Sequence, residues 1–441
     1  MPTESLSSFW GYKKSMGWAC KPPSLFLPTA ETCYHPIYSV WNYPELLNKY
    51  SQRSYDTLNT TELPQGITPV ISLQPFSAMF NYINDFYHGY ESVADSALLV
   101  TEPTQQSLST SKGILDFVFE TLSVKEYFFV KKASAISFAF ARSTALIIET
   151  GPCSITFSPI FESYNLTNQT KSFPIGGDLI DWYVGTKYDL YNNKECRHNE
   201  FFPFVQDDVC TYSDYAKAIH PKTLHLARNY LINQISKNLV DFNSGGGYDA
   251  NEVDDEIAFQ LPDGKLIHFS HAINQDIYDF FFQPDDQNNL MKAIKDSPTV
   301  NNASLTAWHG ITPTLFSVLF NSDPEIINTL SHNILISGGL TIIPNFADRL
   351  SAKLKSTSTI NIPKNEISSQ WNSESQNLPF TTKHISSLKL KVSTLSNTNK
   401  PFSSWIGASI LGSLSSFSNY WVTKEEYNEF GTNVLERKVI F

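Results

Sequence analysis

The chain has 441 residues, of which 41% are hydrophobic and 14% aromatic, so it is too apolar for an extended disordered chain and too long for one small module. Its 32 basic and 43 acidic side chains leave a net charge of −11, which argues against whole-surface nucleic-acid binding and leaves only a local basic patch open. The start from Met1 to Trp18 lacks the basic stretch, apolar run and cleavage site of an export signal, and no apolar run approaches about 18 residues, so neither secretion nor a membrane span is expected. Five cysteines, Cys20, Cys33, Cys153, Cys196 and Cys210, contain no Cys-x-x-Cys pair, which suits reduced thiols in cytosol or nucleus.

Residues 35 to 63 are rich in Tyr, Asn, Pro and Ser and read as a small irregular lobe. Ala97 to Val100 is an apolar strand stopped by Pro103. Ser109 to Leu122 places Ile114, Leu115, Phe117, Val118 and Leu122 on one side at helical spacing. A strand is expected at Tyr127 to Val130, a small helix at Ala133 to Ala141, and a hairpin joining Ala145–Ile148 to Ile155–Ile160. Gly176-Gly177-Asp178 opens a helix, with Asp178 placed to favour its amino end. One helix stands out between residues 190 and 257, at Leu224 to Val240, before the glycine run Ser244 to Gly247. Phe259 to Ile267 alternates around a Pro-Asp-Gly turn, a second hairpin.

Helical stretches at Leu315 to Phe320 and Ile326 to Leu330 lead to a strand at Asn333 to Ile336 that ends in Ser337-Gly338-Gly339. Phe346 to Leu354 is a further helix, and the Ser-, Thr-, Asn- and Gln-rich residues 356 to 382 read as an inserted loop. Leu388 to Val392 alternates as a strand, and Trp405 to Leu414 carries Ile406, Ile410, Leu411 and Leu414 in a last apolar helix. The fold class is α/β.

Neither Cys196 and His198 with His220 and His225, nor His268 with His271, has a second pair at structural-zinc spacing, so no metal site is expected. The Ser244 to Gly247 run follows no strand and precedes no Gly-Lys-Ser/Thr, so it is no phosphate cradle. The glycine turns at Thr150-Gly151 and Ser337-Gly338-Gly339 stand at strand ends, where open α/β sheets bind ligands. A plain turn accounts for those residues equally well.

The run Ser337 to Leu350, and Trp405 to Leu411 continuing through Trp421 to Lys424-Glu425-Glu426-Tyr427, resemble the adenine-side loop and the carboxy-terminal helices of the actin family. Further similarity lies at Leu99 to Pro103, Phe138 to Pro159, Gly176 to Asp181 and Leu261 to Gly264. Ile136 to Ala139, Thr156 to Pro159 and Thr329 to Asn333 resemble the nuclear actin-related proteins of the fourth class more than conventional actin. The resemblance implies the bilobal fold shared with sugar kinases and chaperone ATPases, with a mixed five-stranded sheet in each lobe. It implies subdomain 1 at 1–34, 66–142 and 402–441, subdomain 2 at 35–65, subdomain 3 at 143–178 and 258–401 with the insertion 356–382, and subdomain 4 at 179–257.

By the same resemblance, actin-type hydrolysis needs a metal-shell carboxylate, a lysine on the phosphates, a glutamine and a histidine that order water, and two Asp-Gly turns that hold phosphate. Ser8 or its neighbours stand at the first-strand carboxylate position, Ser15 falls near the lysine position, Lys132 takes the glutamine position and Thr156 the histidine position. Glu149 keeps a carboxylate, but Pro152 and Cys153 replace the second Asp-Gly, and Pro152 has no amide hydrogen. The expectation is therefore a pseudo-ATPase with no catalytic residues and no metal. Glu149, Gly151, Gly176, Gly338, Gly339 and Ile343 are the vestigial cofactor positions; both ATP binding without hydrolysis and its loss remain open.

The resemblance places a partner-binding groove between Phe138, Ala139, Ala141 and Tyr164 on one side and Leu411, Leu414, Phe417 and Tyr420 on the other. Small and apolar residues of this kind admit an amphipathic helix; ordinary core packing is the competing reading, and it accounts for Leu411 and Phe417 equally well. The implied partners are actin or another actin-related protein, and a helical scaffold segment of a chromatin-remodelling ATPase or histone acetyltransferase subunit. Histones or nucleosomes would be reached through the complex, in the nucleus. The alternatives are a pointed-end subunit of a dynein-activator complex and a bilobal ATPase or sugar kinase.

Overall fold

In a computed structural model of the protein, the described residues are 41–42, 70–71, 96–106, 108–152, 154–173, 175–188, 231–242, 256–260, 266–282, 284, 287–296, 308–359 and 388–438. Expected features at residues 1 to 40, at Cys153, at residues 190 to 230, at Ser244 to Gly247, at the Pro262-Asp263-Gly264 turn and at residues 360 to 382 lie outside them. Among the described residues no helix is long and apolar enough to cross a membrane.

A two-residue pair, β1 (Trp41–Asn42) against β2 (Val70–Ile71), comes first. β3 (Ala97–Glu102) stops at Pro103, which cannot donate to a ladder. α1 (Leu108–Asp116) widens into a π turn at Phe117–Thr121 and buries Ile114, Leu115 and Val118. β4 (Glu126–Lys131) lies parallel to β3 and passes without a break into α2 (Lys132–Ala139). β5 (Ala145–Thr150) and β6 (Ile155–Phe161) form the expected hairpin. Glu162 and Ser163, at φ +50° and +71°, then reverse the chain into β7 (Tyr164–Asn165), and β8 (Lys171–Phe173) pairs with the start of β6. α3 (Gly177–Lys187) follows.

The chain divides into two compact units. In the smaller, which includes Leu179–Ile277, a helix at residues 231–239, α4, buries Leu231, Ile232, Ile235 and Leu239. β9 (Glu256–Gln260) and β10 (Leu266–Ser270) form an antiparallel pair, and α5 (Ala272–Phe282) begins there with Ile273 and Ile277 buried. Asp276 accepts hydrogen bonds from the Tyr183 hydroxyl at 2.6 Å and Lys187 Nζ at 2.7 Å, tying α5 to α3.

The larger unit, which includes Val40–Asp178 and Tyr278–Phe441, continues with α6 (Asn289–Asp296), α7 (Ile311–Asn321) and α8 (Pro324–His332), where proline stands in the first turn as helices tolerate. Then come β11 (Ile334–Gly338), α9 (Phe346–Thr359), β12 (Val392–Thr394), α10 (Ser403–Ser413), β13 (Val422–Thr423), α11 (Lys424–Phe430) and α12 (Val434–Lys438). One sheet has the order β12-β11-β5-β6-β7, with β8 also on β6; the other has the order β13-β4-β3. The described residues thus give six strands in the first of these sheets, where five are expected, because β6 carries β7 at one end and β8 at the other; the second has three among the described residues.

Two expectations need correction. Leu388 to Lys391 precede the strand: Lys391 N–H donates to the Ser331 carbonyl, its own carbonyl accepts the first ladder bond from Ile334 N–H, and paired residues run from Val392 to Thr394. Residues 356 to 359, read as the start of a loop, complete α9, because Phe346, Leu350 and Leu354 bury the helix upstream and its polar end needs no buried face.

α2 is packed on two sides. Ala133 and Ile136 pack with Ala145, Ile147, Ile160 and Leu335 of the six-stranded sheet, while Ala135 packs with Phe128, Val130, Ala408 and Leu411 on the other side. α10 crosses it so closely that a methyl group at Gly407 would overlap the Ala135 carbonyl. Gly407→Ala should therefore cost about 1 to 3 kcal/mol, seen as a lower melting temperature. Gly412→Ala, whose methyl would meet only a Leu99 side-chain carbon at 3.5 Å, should melt near wild type; equal melting of both variants would contradict the close crossing.

Candidate functional site

The register of the six-stranded sheet aligns Ser337, Glu149, Thr156 and Ser172 across four neighbouring strands. Side chains opposite one another in register share a face, so the ladder builds a polar row where hydrolytic groups would be sought. Lys132 Nζ reaches Glu149 Oε1 at 3.1 Å. Thr156 Oγ1 and Ser172 Oγ are 3.0 Å apart. Ser337 Oγ is hydrogen-bonded to Ser403 Oγ. Each group is held by another side chain of the protein.

The turn after β5 is similarly closed. Gly151 N–H donates to the Ser154 carbonyl at 2.8 Å, Gly177 N–H to the Gly151 carbonyl at 3.2 Å, and Asp178 N–H to the Pro152 carbonyl at 2.7 Å. Pro152 supplies no donor. The amides of Gly151, Gly177 and Asp178 are thus engaged with chain oxygens, unlike a phosphate nest, which aims amides outward. With Glu149 already paired to a lysine, these residues do not fit a metal–triphosphate.

The vestigial glycines divide by geometry. A methyl at Gly338, at φ +103°, would overlap the Thr150 carbonyl, and one at Gly176 would overlap the Pro152 carbonyl, so packing of the main chain demands both. Gly339 has open space around its Cα. Ile343 is half-buried, with its amide bonded to Leu340 O at 3.1 Å, and Ile342 beside it is the exposed residue of the turn. Next to them Lys400 is buried and donates to the Thr341 carbonyl at 3.0 Å. Burial pushes its ammonium below the usual lysine range, with Asp348 pulling the other way.

The groove residues also divide. Leu411 and Phe417, expected on the groove surface, are 3% and 2% exposed and belong to the core with Phe128, Val130, Ala135 and Ala408. Phe417 sets its ring edge-on to Phe128 at 4.9 Å. Their apolarity serves the α2–α10 contact. Phe138 and Tyr420 pack partly buried against that cluster, and the Phe417 and Tyr420 rings lie 5.8 Å apart. Leu414 is 45% and Tyr164 51% exposed; Ala139 is half-buried, and Ala141, at φ +51°, is exposed beyond the end of α2. β7, which carries Tyr164, lies against α2.

Two further apolar residues of α10, outside the expected groove set, also reach the surface. Ile410 is 41% exposed and Ile406 half-buried, and positions 406, 410 and 414 are spaced by four, one stripe of a helix. That spacing was available in the sequence: once Gly407, Ala408 and Leu411 are assigned inward, Ile406 and Ile410 fall outward.

Among the described residues no group of three or more His, Cys, Asp and Glu could hold a metal ion. Residues 47–440 match the family model described as Actin. The chain is similar to Putative actin-29 of Dictyostelium discoideum, 24% identical over 80% of this chain and 74% of that protein. It is similar to the SWI/SNF and RSC complexes subunit arp42 of Schizosaccharomyces pombe, 23% identical over 76% of this chain and 75% of the relative. Actin-related protein 4 of Yarrowia lipolytica is 24% identical over 78% of this chain and 72% of its own length.

The paired state of Lys132, Glu149 and Thr156 predicts negligible ATP turnover. Each missing charge-stabilising group typically removes about 2 to 4 kcal/mol from the transition state, and several are missing together. Single-turnover measurement with labelled ATP should show no hydrolysis above buffer, and a rate near that of filamentous actin would contradict this.

Proposed function

The chain belongs to the actin family, and from that premise we propose that it is a non-catalytic nuclear subunit of a chromatin-remodelling complex, a fourth-class actin-related protein that docks a helical segment of a partner. The observation that carries this reading is a contrast within the larger unit. The polar row that hydrolysis would use is filled by Lys132–Glu149 and Thr156–Ser172, while Ile410 and Leu414, at α10 and its end, and Tyr164 of β7 expose apolar surface. Exposed apolar side chains of this size suit a protein-docking surface.

The relatives support the same assignment. One is named as a subunit of the SWI/SNF and RSC complexes and another as an actin-related protein of the fourth class. The scaffold segment would come from the remodelling ATPase or from an acetyltransferase subunit, with actin or another actin-related protein bound alongside and the nucleosome reached through the complex.

Purifying the tagged protein and identifying its stoichiometric companions tests the assignment: recovery of a chromatin ATPase supports it, and recovery of dynein-activator subunits overturns it. At residue level, Leu414→Asp and Tyr420→Asp each place a carboxylate where an apolar surface would be desolvated. Each should cost about 2 kcal/mol or more of binding, a roughly thirtyfold rise in Kd. Circular dichroism and melting must show the variants folded; assembly of both folded variants at wild-type affinity would move the interface elsewhere.

A further inference from the structure

Lys132 is the first residue of α2 and directly continues β4 of the three-stranded sheet, whereas Glu149 lies in β5 of the six-stranded sheet. Their 3.1 Å ion pair therefore joins the two layers of the larger unit, with the lysine side chain 32% and the carboxylate 15% exposed. A partly buried ion pair is screened less than one on the open surface. It is accompanied by other polar bonds across the same two layers. Gln105 Nε2, just past β3, donates to Thr170 O at 3.1 Å beside β8. Ser337 of β11 is bonded to Ser403 of α10, and Lys400, before α10, to the carbonyl of Thr341 after β11.

We infer that Lys132 is a positioning residue: its pair with Glu149 is an intramolecular clamp that fixes α2 at its amino end, and so sets Phe138 and Ala139 at its other end, with no bound cation or nucleotide. α2 is short and packed on two sides, with Ala133 and Ile136 on one sheet and Ala135 against α10. A rigid helix so enclosed moves as a body, so the anchoring of its first turn is felt at its last. Glu149 sits between Ser337 and Thr156 in the sheet register, and those hydroxyls are bonded to Ser403 and Ser172. Lys132 thus supplies the countercharge that a half-buried carboxylate requires. The consequence for partner docking rests on the proposed function above, whereas the clamp itself does not.

The test is a double-mutant cycle on the isolated full chain in EDTA, with Lys132→Met, Glu149→Gln and the two combined. Each single variant should lower the melting temperature by about 2 to 4 °C, and the combined variant by no more than the worse single. Amide exchange at Phe140 and Arg142, whose N–H groups bond to Ile136 O and Ser137 O of α2, should quicken about tenfold in the single variants. Magnesium with ATP should leave the wild-type melt unmoved. Additive losses, unchanged exchange at the end of α2, or a wild-type melt raised by magnesium and ATP would each overturn the clamp. So would failure of the combined variant to fold, because it contains no unpaired charge. Since no partner is present, a failed cycle leaves the docking proposal standing, and a failed Leu414→Asp experiment leaves the clamp standing.

Discussion

The larger unit depends on one close helix crossing. α10 can lie on α2 only because residue 407 has no side chain to meet the Ala135 carbonyl. That approach brings Ala408 and Leu411 onto Ala135, Phe128 and Val130, completing the core beside the three-stranded sheet. α2 in turn offers Ala133 and Ile136 to the six-stranded sheet. A helix that serves two cores at once needs small residues where backbones meet and apolar ones elsewhere, and Lys132-Ala-Ser-Ala-Ile-Ser-Phe-Ala139 has that composition. Its two serines at 134 and 137 are fully enclosed, and Ser137 satisfies its hydroxyl on the Ser134 carbonyl at 2.7 Å.

The same frame carries the polar row. In-register pairing aligns Glu149 with Thr156 and Ser337, so the geometry of a polar row persists. Its chemistry has turned inward, with a lysine on the carboxylate and hydroxyls on one another. The amides of Gly151, Gly177 and Asp178 do likewise, binding chain carbonyls. Burial elsewhere has similar local effects: Glu102, enclosed between Ser111 and Lys131, has its carboxyl pushed up by desolvation, with Lys131 and Ser111 opposing.

Much of this was legible in the residues. Ser337 to Leu350 and Trp405 to Tyr427 carried the family resemblance, and a family match over residues 47–440 agrees with it. Strands such as Tyr127–Val130 and Ile155–Ile160 were readable because they are buried along their length, so apolar runs mark them. What escaped was information that lives in tertiary contact. Lys391 fits the alternation of a strand, yet its N–H bonds the Ser331 carbonyl at the end of α8, and paired residues begin only at Val392. Leu411 and Phe417 have the composition of a binding surface, and only the α2–α10 contact shows that they face the core. The Lys132–Glu149 pair spans separate elements, so no local pattern could announce it.

The central claim, that the face marked by Ile410 and Leu414 receives a partner's helix, is open to photocrosslinking in nuclear extract. A benzoylphenylalanine at position 410 can be compared with one at position 436, where Glu436 lies exposed on α12 and pairs with Lys112 at 2.6 Å. The account predicts that the label at 410 crosslinks to a helical segment of one companion subunit while the label at 436 does not. Crosslinks to that segment from 436 alone would contradict it.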